Sequence, residues 1–92
     1  MKSYFLEPIS SREAGVSALS KILPGQENPW ILWAPQGEAI AYLNVYYGDE
    51  EKPNKCFIQA DVSGRHFDRD EDVLSLLRSL KETIGGEITC EP

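Results

Sequence analysis

Histidine occurs once in this chain and cysteine twice, and nowhere do more than two basic residues gather in a short stretch. Each shortage removes a class of function. One imidazole, His66, with no second His or Cys at ligand spacing gives a transition metal little to hold, so neither a metal nor a cofactor is expected. Cys56 and Cys90 have no CxxC spacing and read as two reduced thiols. A disulfide between them requires the C-terminal tail to lie beside the strand at 56–62, because bridged Cα atoms stand within about 7 Å. Without a Lys or Arg cluster, nothing supplies the phosphate neutralisation that drives nucleic-acid binding, and anionic membrane surfaces are disfavoured for the same reason.

Long apolar runs are also missing. The longest, Ile40 to Tyr47, is interrupted by Asn44 and falls far short of the roughly 20 residues of a membrane-spanning helix. The opening MKSYFLEPIS lacks the continuous apolar core of a secretion signal, so a cytoplasmic location is expected. Gly85-Gly86 and Ser63-Gly64-Arg65 are too short to cradle phosphate and read as cap and turn.

What is present describes an ordinary folded domain. A length of 92 residues suffices for one core, and the expected unit is a single globular domain over 1–92. An apolar fraction of 41% is too high for disorder. Fifteen acidic residues against nine basic give a net charge of −6, with the surplus around Asp49 to Glu51 and Asp68 to Asp72.

Tyr4 to Glu7 reads as a short strand closed by Pro8. A helix follows: Ser10 and Glu13 have the form of a capping box, Val16, Leu19, Ile22 and Leu23 recur at helical spacing, and Pro24-Gly25 stop it. Gly15 weakens this helix by up to about 1 kcal/mol. Trp30 to Ala34 is a strand joined through Pro35-Gln36-Gly37 to a central strand, Glu38 to Tyr47, in which eight of ten side chains are apolar or aromatic. Beyond a polar turn, Cys56 to Val62 alternates Cys56, Ile58, Ala60 and Val62 against Phe57, Gln59 and Asp61. Val73, Leu74, Leu77, Leu80 and Ile84 mark one face of a final helix with an acidic start and a Gly85-Gly86 stop. Glu87 to Cys90 can add a short edge strand.

The order β-α-β-β-β-α, with that C-terminal strand, predicts an α+β two-layer sandwich: a mainly antiparallel meander sheet with both helices on one face, a ferredoxin-like variant being one realisation. The helix, three-strand meander and final helix resemble the element order of double-stranded RNA-binding domains, in topology alone. That family meets phosphate with lysines at the start of its final helix, where this chain has Asp70, Glu71 and Asp72.

The densest polar segment runs from Arg65 through His66 and Asp68 to Asp72. Asp68, Asp70 and Asp72 reproduce the opening of a calcium loop, but its sixth and twelfth positions hold Val73 and Ser79 instead of Gly and Glu. Asp68 or Asp70 is expected to cap the final helix. His66 can act as an acid or base, yet no nucleophile accompanies it, since Cys56 lies in an alternating strand as a small apolar residue. No catalytic residue is assigned.

Trp30 and Trp33, three apart in a strand, point to opposite faces. With Tyr42 and Tyr46 on the next strand they suggest an aromatic patch on the helix-free sheet face, a surface for a partner or a second copy. The expected function is a small acidic, non-catalytic interaction or regulatory module, similar in charge and size to inhibitor or immunity proteins that bind basic partners. Trp30, Trp33, Tyr42 and Tyr46 with Glu38, Asp49, Glu50, Glu51, Asp68, Asp70 and Asp72 would form its contacts. The alternative is a small-molecule binder or enzyme with a pocket near His66, Arg65, Asp61 and Cys56.

Overall fold

A computed structural model describes residues 2–26, 29–46, 56–63 and 69–91. Its elements are β1 (Lys2–Ile9), α1 (Arg12–Ile22), β2 (Trp30–Trp33), β3 (Ala39–Tyr46), β4 (Cys56–Val62), α2 (Asp70–Ile84) and β5 (Glu87–Glu91). The five strands form one antiparallel sheet in the order β2-β3-β4-β1-β5, an α+β fold with the helices packed on it. The C-terminal strand therefore exists, and it pairs with β1. Because β1 separates β4 from β5, α2 carries a crossover between two strands of the same direction, one split β-α-β unit of the ferredoxin-like kind. The crossover through α1 joins β1 to an antiparallel strand, so the second such unit is absent.

Period-two alternation divides the sheet. Tyr4 and Leu6 of β1, Ala41, Leu43 and Val45 of β3, and Ile58, Ala60 and Val62 of β4 are all buried under the helices. From α2 they receive Val73, Leu76, Leu77 and Leu80, and from α1 Ala18 and Leu19. Gly15 lets α1 approach: a Cβ there would stand 2.9 Å from Ile9 Cδ1 and 3.2 Å from Val45 Cγ1. The residue that weakens the helix thus sets its seat on the sheet.

Several local expectations shift by a residue or more. The cap of α1 is Ser11, whose Oγ accepts from the Ala14 N–H at 3.1 Å; Ser10 lies one residue outside. Pro8 does not end β1, because the register with β4 jumps between Leu6 and Ile9 and the proline sits in that irregularity. The N-cap of α2 is Arg69, with no side-chain cap bond, so Asp70 is not the cap, and Asp68 lies outside the described residues. The turn at Pro35-Gln36-Gly37 closes through bonds from Ala34 N–H to Glu38 C=O (2.7 Å) and from Gly37 N–H to Ala34 C=O (2.9 Å).

Both sheet edges are guarded. On β2, the Ile31 N–H donates to Gln26 Oε1 at 2.9 Å and Gln26 Nε2 donates to the Ile31 carbonyl at 3.0 Å. The glutamine amide stands where a neighbouring strand would bond, and Pro29 just before has no N–H to offer. On β5, Glu87 places a charge at the edge, 3.4 Å from Lys81 Nζ. No helix is long and apolar enough to cross a membrane among the described residues.

Candidate functional site

The middle of the helix-free face of the sheet is assembled from the outward residues of three strands. Tyr42 and Tyr46 of β3, Phe57, Gln59 and Asp61 of β4, and Ser3 and Phe5 of β1 alternate with the buried set, as cross-strand pairing requires. Tyr46 stacks on Phe57 with ring centroids 5.2 Å apart, and Phe57 meets Phe5 at 6.0 Å in a tilted arrangement. Tyr42 and Tyr46 remain 42% and 41% exposed. Rings this large on a face that none of the described helices covers constitute an apolar patch that water does not favour.

A polar centre adjoins the rings. Asp61 Oδ1 accepts from Ser3 Oγ at 2.6 Å and from Gln59 Nε2 at 2.8 Å. Tyr42 faces Asp61 in register across β3 and β4.

The four expected aromatics separate. Trp30 pairs with Leu43 and is 2% exposed, so it belongs to the core and not to the surface where the aromatic patch was expected. A register shift between Leu32 and Trp33 sends Trp33, 52% exposed, to the rim. There it lines an open groove of about 370 Å³ with Leu32, Pro35, Ile40, Arg69, Asp72 and Ser75. Only Tyr42 and Tyr46 share the open face. Asp49, Glu50, Glu51, Arg65, His66 and Asp68 lie outside the described residues. Phe5 and Phe57 were not singled out from sequence, although the alternation of β4 already put Phe57 beside Gln59 and Asp61.

Of the residues of the alternative pocket, Cys56 and Asp61 are described and lie on opposite faces of β4. Cys56 is buried on the helix side of β4, and Asp61 projects from the opposite side. Cys56 and Cys90 are free thiols lying on strands separated by β1, Cys56 buried and Cys90 exposed. Among the described residues, no three His, Cys, Asp or Glu side chains gather as a metal site.

Asp70 has a structural task. Its carboxylate is ion-paired with Lys2 Nζ and accepts from Tyr4 OH at 2.8 Å, tying the start of α2 to β1. The Lys2 hydrogen bond holds Asp70 below the usual carboxylate value, and the same bond raises Lys2. Burial raises the Tyr4 hydroxyl. A lowered Asp70 contributes in full above its ordinary value of 3.8, and the contribution is lost as pH falls through the lower folded value. A raised Lys2 contributes below 10.5 and is lost as pH rises through its higher folded value. In urea unfolding, the gap between the native protein and Asp70→Asn is therefore expected to be flat through neutral pH and to narrow below about pH 4. A gap that persists undiminished at acid pH would show that the pair adds nothing.

Comparison with protein-family models, curated proteins and solved structures finds no match.

Proposed function

We propose that this protein is a non-catalytic interaction module that takes a basic protein partner on the helix-free face of its sheet. The observation that carries the reading is the set of rings on one face, exposed Tyr42 and Tyr46 with half-buried Phe57 and Phe5, and the carboxylate of Asp61 opposite Tyr42. The guarded edges turn attention from strand addition to the face. A second copy is disfavoured as occupant, because face-to-face pairing would oppose two surfaces of a chain with net charge −6. A basic partner meets the same charge with attraction and faster encounter. The two free thiols are consistent with a reducing, cytoplasmic setting.

The test is native mass spectrometry on the tagged protein purified from its own cells, at low and at high salt, beside a Tyr42→Ser/Tyr46→Ser variant. A stoichiometric protein partner is expected with the native chain at low salt, reduced at high salt by screening and lost with the variant. A chain recovered alone with a small bound mass, or a partner retained equally by the variant, would overturn the reading.

A further inference from the structure

Asp61 lies on the open face near the end of β4, the central strand of the five, opposite Ser3 and Tyr42. Its environment differs from that of the helix carboxylates. Asp70, Asp72 and Glu71 each face a cation of this chain, namely Lys2, Arg69 and Arg78, and Glu87 faces Lys81. Among the described residues no cation reaches Asp61. Two neutral donors, Ser3 Oγ and Gln59 Nε2, converge on Oδ1 and fix the carboxylate plane. Oδ2 has no bonding partner among the described residues, and the ring of Tyr42 stands alongside on the neighbouring strand.

Resting on the reading of this face as the contact surface, we propose that Asp61 is the anchor for an arginine side chain of the partner. Docking any surface here removes water from Asp61, and a carboxylate stripped of water without a cation is costly. A partner that brings a positive charge to this point offsets that cost, whereas an apolar or neutral surface would match the rings and leave Asp61 unmet. Arginine fits better than lysine, because a planar guanidinium can lie against the Tyr42 ring while donating to Oδ2. An ammonium makes a point contact and remains more strongly hydrated. The Tyr42 ring would then shield one side of the charged pair from water.

The experiment is NMR titration of the labelled full chain with N-acetyl-arginine methylamide, and in parallel with the lysine and citrulline analogues. Saturable shifts at Ser3, Tyr42, Gln59 and Asp61, on the order of millimolar affinity, are expected with arginine. They should be several-fold weaker with lysine and absent with citrulline, which keeps the shape and loses the charge. Asp61→Asn should weaken the arginine response by about tenfold or more with the remaining spectrum unchanged. Shifts that map to the start of α2, that survive Asp61→Asn, or that citrulline reproduces would overturn the anchor. The two proposals fail differently in the mass-spectrometric experiment. Loss of the partner with the tyrosine variant but not with Asp61→Asn rejects the arginine anchor alone, and retention in both rejects the face.

Discussion

Trp30→Ala is expected to lower the free energy of unfolding by about 3 to 5 kcal/mol, and Trp33→Ala to change it by no more than about 0.5 kcal/mol. The two indoles differ by three positions in sequence and by nearly everything else in surroundings. Trp30 is 2% exposed against Leu43, beneath the helices, whereas Trp33 stands 52% exposed at the rim. Removing Trp30 leaves a large void in a small core, and a domain of this size has only about 5 to 15 kcal/mol in total. Trp30→Phe should be much milder. The Trp30 Nε1 has no acceptor among the described residues, so phenylalanine gives up ring area but also removes a buried unpaired donor that costs about 1 to 3 kcal/mol. Urea unfolding of the three variants decides the matter through the midpoint. Equal losses for Trp30→Ala and Trp33→Ala would mean that Trp30 does not hold the core.

The same pair of residues shows where sequence reasoning stops. Alternation requires Trp30 and Trp33 to differ, but which one turns inward depends on the register of β2 against β3 and on the irregularity after Leu32. Strands with strong local patterns were readable to the residue: β4 spans Cys56 to Val62 as its alternation predicts, and the helix-side set is buried as written. The apolar face of α2 was equally plain, with Leu76 added and Leu74 and Ile84 only half-buried. The capping-box pattern favours Ser10, with Glu13 three residues on, and only the bond from the Ala14 N–H identifies Ser11 as the cap. The β2-β3-β4 meander was legible, but the placement of β1 and β5 in the sheet was not. It rests on β1 inserting between β4 and β5, through pairs 47 to 60 and 80 to 88 positions apart. The candidate face inherits that limit. Phe57 and Asp61 could be placed on one side of β4, but Ser3 and Phe5 could join them only once β1 was known to lie alongside. Gln26 gives no sequence signal as an edge cap, because its bonds go to backbone groups that only the folded edge exposes.

Gly86→Ala should cost about 2 to 4 kcal/mol, well above its neighbour Gly85→Ala at about 1 to 2. Both glycines follow α2 and both have positive φ, +78° at Gly85 and +101° at Gly86. Their surroundings separate them. Nothing lies within 4 Å of a Cβ built at Gly85, so alanine there meets only the backbone penalty. At Gly86 the Cβ would stand 2.9 Å from the Pro8 carbonyl oxygen and 3.2 Å from Leu6 Cδ1. The leucine tip can give a little, but the carbonyl belongs to β1 and cannot move without disturbing the pairing of Glu7 with Glu87 and Leu6 with Ile88. Relief therefore has to come from β5, whose amides should lose hydrogen-exchange protection ahead of the remaining sheet. Equal costs for the two substitutions would show that β5 enters the sheet without the close approach at Gly86. A larger cost at Gly86, with early exchange confined to β5, identifies this one contact as what fixes the second edge of the sheet, and with it the β1 flank of the open face.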